Sequence, residues 1–256
     1  MQNGDTEDAV KELLDLKIER AEGENVGTYT ITATGEEALA NYDVTYVPGT
    51  FTITKDGLIV KADNKTKVYG EDDPELTATI SGLKNGDSED AIREALGLSL
   101  SRAEGEDVGT YTITVTGAEA LDNYDVTYET GDLEITKANL TVTADNKNKV
   151  YGAEDPELTA TVTGMQNSDT EAAVKELLDL KIERAEGENV GHYVITPSGK
   201  TTLANYNVEY VDGDFEITKA QLLVKANNAG KVYGAQDPEL TALVTGMKNG
   251  DTEEAV

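Results

Sequence analysis

Apolar and polar residues alternate with a period of two along short stretches of this 256-residue chain. In ELTATIS (75–81), Leu76, Ala78 and Ile80 fall on one face and the threonines fall on the other. LKIER (16–20) alternates in the same way. A period of two is typical of a half-buried β-strand. The pattern therefore predicts a mostly β protein.

A longer alternating stretch, YDVTYVPGTFTIT (42–54), is predicted to form a hairpin whose turn is supplied by Pro48 and Gly49. A related stretch later in the chain has Glu209 where this one has Thr45. The charge occurs at a position that the alternation assigns to solvent, as expected for a strand with one buried face.

One segment departs from the strand pattern and predicts a helix. GDTEDAVKELLDL (4–16) carries Val10, Leu13 and Leu14 at helical spacing, which indicates a helix of two to three turns. Asp5 is placed to cap its first turn.

These patterns predict an all-β fold with one short helix per repeated unit. Each unit is expected to consist of a strand, a turn, a second strand, the helix and about four further strands, with antiparallel neighbours. The expected architecture is a series of tandem immunoglobulin-like β-sandwich domains. A β-grasp sheet with the helix laid across one face is the alternative.

A phrase in the sequence recurs three times. KVYGEDDPELTA (67–78) returns as KVYGAEDPELTA (149–160) and as KVYGAQDPELTA (231–242), so that the period is 82 residues. Solenoid units are shorter, about 20 to 50 residues. The period instead fits a small domain that is repeated along the chain.

The segments KDG, KAN and KAQ (55–57, 137–139 and 219–221) are predicted linkers. They divide the chain into four parts, which we call the first to fourth repeats: 1–55, 57–137, 139–219 and 221–256. The second and third repeats are predicted to be complete. The first is expected to lack its first two strands, and the fourth to contain the first strands only. We therefore expect an excerpt from a longer array, in which the fourth repeat of one molecule completes the first repeat of another, head to tail, by strand addition.

Composition narrows the possible partners. The chain has 21 Lys and Arg residues against 50 Asp and Glu residues, for a net charge of −29. Nucleic acids and anionic membranes require basic surfaces, so neither is an expected partner. Neighbouring repeats of the same chain are the expected ones. The absence of cysteine excludes disulfides and thiol chemistry, and no apolar run approaches the ~20 residues of a membrane-spanning helix.

The candidate functional residues are the Tyr, Gly and Pro of the recurring phrase: Tyr69, Gly70, Pro74, Tyr151, Gly152, Pro156, Tyr233, Gly234 and Pro238. The tyrosine could stack on a sugar in a ligand-binding turn. The favoured interpretation is structural: the tyrosine packs, the glycine adopts a positive φ, and Asp-Pro leads into the next strand.

Metal and catalytic sites are not expected. The acidic cluster at 71–75 does not match a calcium-binding loop. One of its positions runs Asp72, Glu154, Gln236 through the copies, so a carboxylate ligand there is not constant. Calcium bridging at the linkers is a minor alternative to having no cofactor. His192 is the one histidine, and without cysteine it offers neither a zinc site nor a Cys-His nucleophile. No catalytic residues are predicted, and the protein is not expected to be an enzyme.

Three motifs recur in a fixed order: V-Y-G at 68–70, 150–152 and 232–234, D-P at 73–74, 155–156 and 237–238, and V-G-x-Y at 26–29, 108–111 and 190–193. In this the chain resembles the MBG domain of the YGX type over essentially its whole length. Such domains occur in tandem in large bacterial surface and adhesin-like proteins. The resemblance implies an extracellular, non-enzymatic, mostly β repeat.

The function expected from the sequence is that of a stalk or spacer module in a bacterial cell-surface protein. The alternative is a multivalent adhesive repeat, in which each unit binds a host glycan or protein weakly and repetition supplies avidity.

Overall fold

The computed structural model of the protein describes residues 6–252 and shows a mostly β chain with three short helices. By compactness the chain divides into two units. The first unit takes residues up to 65 together with 74–104 and 110–134. The second unit takes 66–73, 105–109 and the residues from 135 onward.

Helices and strands follow one order along the repeats. Residues 6–62 form α1 (Glu7–Leu13), β1 (Lys17–Arg20), β2 (Gly27–Thr34), β3 (Ala38–Leu39), β4 (Tyr42–Asp43), β5 (Gly49–Ile53) and β6 (Asp56–Ala62). Residues 65–136 form β7 (Lys65–Val68), β8 (Ala78–Ser81), α2 (Glu89–Leu96), β9 (Ser99–Arg102), β10 (Gly109–Thr116), β11 (Tyr124–Glu129) and β12 (Gly131–Thr136). Residues 138–245 form β13 (Ala138–Ala144), β14 (Lys147–Val150), β15 (Ala160–Thr163), α3 (Glu171–Leu178), β16 (Lys181–Arg184), β17 (Gly191–Ser198), β18 (Tyr206–Val211), β19 (Gly213–Thr218), β20 (Leu223–Ala226) and β21 (Ala242–Thr245).

The first unit contains two three-stranded sheets, with the orders β1-β2-β5 and β11-β6-β8. Strands β9 and β10 pair antiparallel in the same unit, as do the short β3 and β4. Leu58 and Val60 of β6 and Ile113 of β10 are completely buried. They occupy alternate positions of their strands, as the period-two pattern predicts for core residues.

The second unit contains the whole of the third repeat, which has two sheets with the orders β15-β13-β18 and β14-β19-β17-β16. Strand β13 of one sheet packs against β17 and β19 of the other. Ala144, Ile195, Phe215 and Ile217 form a buried cluster, and Tyr151 packs against it. Strands β20 and β21 form a separate antiparallel pair.

The predicted helix is confirmed in the first three repeats, but its cap differs from the prediction. Thr6 occupies the N-cap position of α1, where its hydroxyl accepts a hydrogen bond from the backbone N–H of Ala9 at 3.4 Å. Thr170 plays the same role for α3. Threonine and aspartate share this capping chemistry, so composition alone does not choose between them. The predicted cap, Asp5, lies outside the described residues.

The expectation of antiparallel neighbours is wrong for two strand pairs of the third repeat. Strand β13 pairs with β18 in parallel, with Leu140 opposite Val208. Strand β14 also pairs with β19 in parallel. A parallel pair requires a crossover rather than a tight turn, and here the helix and several strands lie between the partners in sequence.

The predicted hairpin is also wrong. In the third repeat its two arms are β18 and β19, which belong to different sheets. A single residue, Asp212, separates them, which is too short for a two-residue hairpin turn. Gly213 starts the second arm, and a Cβ atom there would lie 2.6 Å from the carbonyl oxygen of Ala144. The glycine therefore permits the close passage of the chain from one sheet to the other.

We predict that Phe215→Ala lowers the free energy of unfolding of the third repeat by about 3–5 kcal/mol, because the lost ring leaves a cavity in a fully buried site. The matched control is Phe51→Ala, two periods earlier, where the side chain is 40% exposed and the expected loss is about 1 kcal/mol. Hydrogen exchange measured by mass spectrometry on peptides from 191–218 and 27–53 separates the two effects. Equal losses of protection would contradict the prediction.

Candidate functional site

The tyrosine of the recurring phrase connects successive repeats. Tyr69 of the second repeat is only 6% exposed. Its ring meets that of Tyr206, in the third repeat, edge to face with 5.4 Å between centroids and 84° between planes. Its hydroxyl donates to Asp169 Oδ2 at 3.4 Å. All three residues belong to the second unit, and aromatic pairs in this geometry are favourable beyond the area that they bury.

The acceptor side of this contact is preorganised within the third repeat. The hydroxyl of Tyr206 donates to Asp169 Oδ2 and accepts from the backbone N–H of Gln166 at 2.8 Å. Burial, followed by the hydrogen bond to Asp169, raises the pKa of Tyr206 to about 12. The phenol therefore stays protonated at neutral pH, and the carboxylate receives hydrogen bonds from two tyrosines of different repeats.

The same contact recurs one period later. The hydroxyl of Tyr151 donates to the carboxylate of Asp251, in the fourth repeat, at 3.1 Å from Oδ2 and 3.3 Å from Oδ1. Asp251 lies 82 residues after Asp169, as Tyr151 does after Tyr69. In the described residues the ring of Tyr233 is fully exposed.

The glycine after each tyrosine meets two requirements. Gly70, Gly152 and Gly234 all have positive φ, as predicted. A Cβ atom at Gly70 would also lie 2.4 Å from the Cβ of Gln166, and one at Gly152 would lie 2.4 Å from the Cβ of Lys248. At Gly234 nothing lies within 4 Å of that position. The first two glycines therefore allow the next repeat to approach, in addition to allowing the turn.

An asparagine forms a second contact between repeats. Asn205 Oδ1 accepts from the backbone N–H of Val108 at 3.0 Å, and its Nδ2 donates to Asp107 Oδ1 at 2.9 Å. One period earlier, in the first unit, Asn123 Oδ1 accepts from the backbone N–H of Val26 at 2.9 Å. The side-chain amide is suited to this contact because it both donates and accepts.

The linker lysines, expected to be exposed, form a third contact. Lys137 Nζ donates to the carbonyl oxygen of Leu203 at 2.6 Å, and Lys55 Nζ donates to that of Leu121 at 2.7 Å. The backbone N–H of Ala138 donates to the carbonyl oxygen of Asn205 at 3.0 Å. Each linker is thereby bound to the repeat that follows it.

We call the set of these contacts between the second and third repeats the joint. It consists of Tyr69, Gly70, Asp107, Val108, Lys137 and Ala138 on one side and of Gln166, Asp169, Leu203, Asn205 and Tyr206 on the other.

A family profile decides the relationship that these motifs suggest. The profile of the MBG domain of the YGX type matches residues 1–52, 58–134, 140–216 and 222–256. The chain belongs to this family. No curated protein matches the chain. The tyrosine and glycine that give this MBG type its YG pair are thus the residues that form the joint.

A buried lysine fixes the Tyr-Gly turn of the MBG repeat from within. Lys149 is buried, and its Nζ lies 2.6 Å from Asp155 Oδ1 and 2.5 Å from Glu188 Oε2. Hydrogen bonds to Asp155 and then to Glu188 raise the pKa of Lys149. The equivalent Lys67 lies 2.7 Å from Asp73 and 2.6 Å from Glu106. Two carboxylates per lysine compensate for burying the ammonium group.

Asp155 belongs to the Asp-Pro pair, which was expected to lead directly into a strand. Strand β15 begins at Ala160, four residues after Pro156. The aspartate instead binds Lys149, and it accepts hydrogen bonds from the guanidinium of Arg184. The Arg184 hydrogen bond is the main reason why the pKa of Asp155 lies below its usual range.

Sequence reasoning did not assign Lys67, Lys149, Asn123 and Asn205 to the site. The signal that could have found them is their recurrence at the same 82-residue period as the tyrosines. Periodicity marked them, but a lysine or asparagine beside a turn is usually solvated, so the pattern alone gave no reason to expect burial.

Two further classes of site were searched for in this MBG chain. Within residues 6–252, no group of three or more His, Asp or Glu side chains is placed to bind a metal ion. Of the helices in the described part of the chain, none has the length and apolar character needed to span a membrane.

We predict that Gly70→Ala destabilises the joint more than Gly234→Ala does. Both glycines have φ of +87°, so both variants incur the same backbone strain of about 1 kcal/mol. The alanine methyl at 70 must in addition displace Gln166, whereas at 234 it meets nothing. Hydrogen exchange of Val108 and Gln166 amides reports the difference, and indistinguishable exchange in the two variants would show that the close approach is unimportant.

We also predict a pH-dependent difference between the wild type and Asp155→Asn. Because the pKa of Asp155 is lowered in the folded state, its stabilisation is present above the unfolded pKa of about 3.9 and is lost as pH falls through the folded value. The variant should thus unfold at lower temperature than the wild type at pH 6, and the gap should close towards pH 2. Thermal unfolding followed by circular dichroism measures the gap, and a constant gap from pH 7 to 2 would refute this assignment.

Proposed function

We propose that the chain is a non-enzymatic stalk or spacer module of an extracellular, cell-surface, adhesin-like protein of bacteria. The observation that carries the proposal is the joint. The Tyr-Gly turn, the asparagine and the linker lysine all use residues that recur at the period of the repeat, so each contact can be formed again at the next boundary.

Several contacts at one boundary restrict motion more than a linker alone. The linker is tied through Lys137, while Tyr69 and Asn205 bind at other points of the same boundary. Hydrogen bonds at separate points oppose both bending and twisting, which a flexible linker would allow. A spacer has to keep its length under such motions, and the joint supplies that property.

The net charge supports the same role. A charge of −29 makes neighbouring copies repel one another, which keeps closely spaced stalks apart.

We further propose that each complete repeat is a two-sheet sandwich of the immunoglobulin-like kind. Support comes from the third repeat, whose two sheets pack through Leu140 and Val142 of β13 on one side and through Ile195, Phe215 and Ile217 on the other, all of them buried. A β-grasp fold would instead lay the helix across a single sheet.

A recurring cleft favours the second candidate, the multivalent adhesive repeat. In the second repeat a cleft of about 370 Å³ lies between α2 and the loop before β11, lined by Ala91, Ile92 and Tyr124. An equivalent cleft of about 110 Å³ in the third repeat is lined by Ala173, Val174 and Tyr206.

The lining of these clefts nevertheless favours the spacer. Asp169, Asn205 and Tyr206 line the cleft of the third repeat, and all three also bind the second repeat in the joint. The recurrence of the cleft therefore follows from the recurrence of the joint and requires no external ligand.

We predict a narrow distance distribution between spin labels at Asp72→Cys and Glu209→Cys, which lie on either side of the joint in a chain without native cysteine. Adding Tyr69→Ala and Asn205→Ala should broaden the distribution, because two of its contacts are removed. Tyr233→Ala, which removes an exposed tyrosine, is the matched control and should leave it unchanged.

Pulsed electron paramagnetic resonance measures the distribution. An equally broad distribution in the wild type and in the joint variant would contradict the spacer proposal. Binding to a panel of immobilised glycans that is abolished by Ala91→Arg, a substitution that fills the cleft, would favour the adhesive role instead.

A further inference from the structure

Two segments adopt less strand structure than their counterparts in the third repeat. Residues 206–211 form β18 and pair in parallel with β13. The equivalent residues 42–47 are in strand only at Tyr42–Asp43. Likewise, residues 147–150 form β14 against β19, whereas the equivalent residues 229–232 are not in a strand. In both cases the strand is reduced where the partner strand of the third repeat has no equivalent beside it.

The same segments expose apolar side chains that are buried elsewhere. Val224 is 60% exposed, whereas its counterparts Val60 and Val142 are completely buried. Leu222 is 41% exposed, and its counterpart Leu140 is completely buried. In the first repeat, Val47 and Phe51 are exposed in the same manner. The exposed residues of the two segments are those that pack together inside a complete repeat.

The joint adds a socket and a free tyrosine. Asp87 and Tyr124 of the second repeat are the counterparts of Asp169 and Tyr206, and they are already joined by a 2.6 Å hydrogen bond. The cleft that they line is more than three times the volume of the one beside Asp169, where Tyr69 is bound. Tyr233, the counterpart of Tyr69, is fully exposed.

We propose that these surfaces bind each other between two copies of this chain. Residues 222–245 of one copy supply the missing partner strands to residues 42–53 of another, and its Tyr233 enters the socket formed by Asp87 and Tyr124. This association is strand addition guided by a template already present in the third repeat, and it is separate from the stalk role.

Charge complementarity supports this choice of occupant. In the third repeat Arg184 binds Asp155, and Lys149 binds Glu188. The counterparts of Arg184 and Glu188 are Arg20 and Glu24 in the first repeat, and those of Asp155 and Lys149 are Asp237 and Lys231 in the fourth. Each segment therefore carries one partner of both ion pairs.

The two surfaces differ, so the contact is heterologous and extends head to tail instead of closing as a symmetric dimer. The charge of −29 on each copy opposes approach. Association should therefore strengthen with salt, because salt screens the repulsion while apolar burial persists.

The register of the third repeat designs the experiment. Thr143 lies opposite Val211 in the β13–β18 pair, and the corresponding positions are Lys225 and Val47. Two full-length single-cysteine variants, Val47→Cys and Lys225→Cys, are mixed in about 0.5 M sodium chloride, where the screening length falls to a few ångströms. Mild oxidation should give a disulfide-linked heterodimer, because opposed strand positions fall within disulfide range.

The matched control pairs Lys225→Cys with Val194→Cys, an exposed strand position at which the other repeats have threonine. That mixture should not crosslink above the level of random collision. Adding Tyr233→Ala and Leu222→Lys to the Lys225→Cys chain should lower the heterodimer yield about tenfold or more, because an aromatic anchor and an apolar contact are lost.

Three outcomes would overturn the proposal. One is equal crosslinking of the designed and control mixtures. Another is a chain that sediments as a monomer at all protein and salt concentrations and gives no heterodimer. The third is a Val47→Cys/Lys225→Cys double variant that yields only a cyclised monomer, because the contact would then form within one molecule instead of between two.

Discussion

The Tyr-Gly turn of the second repeat lies so close to the third that no side chain fits between them. A Cβ atom at Gly70 would lie 2.4 Å from Gln166, and beside it the ring of Tyr69 is almost fully buried against Tyr206. Burial of an aromatic ring is among the larger favourable contributions that a single residue makes. Glycine is thus required both by the conformation of the turn and by the neighbouring repeat.

This close contact depends on a turn that keeps its shape. Lys149 stands two residues before Tyr151 and is held between Asp155 and Glu188, and Lys67 is held in the same way before Tyr69. An unpaired buried ammonium group would be strongly unfavourable. The lysine, the tyrosine-glycine pair and the aspartate before proline therefore act together, which explains why the whole phrase recurs in place of the tyrosine alone.

The joint also explains how one motif can serve two repeats. Asp169 receives hydrogen bonds from Tyr206 in its own repeat and from Tyr69 in the preceding one. Its position is thus fixed before the neighbour arrives, which reduces the entropy lost when the two repeats come together. Repeat arrays of this kind gain stability from nearest-neighbour contacts as well as from each unit.

Sequence by itself determined the period of 82 residues, the family, the mostly β character and the position of each helix. These properties are local or repetitive: alternation follows from the pleat of a strand, and helical spacing follows from the helical turn. Tertiary structure alone decided which strands pair, because the parallel partners β13 and β18 are far apart in sequence and their shared faces look alike before they meet. For the same reason it alone decided the role of Tyr69 and Asn205: their partners lie in another repeat, and no local pattern specifies a contact about one hundred residues away.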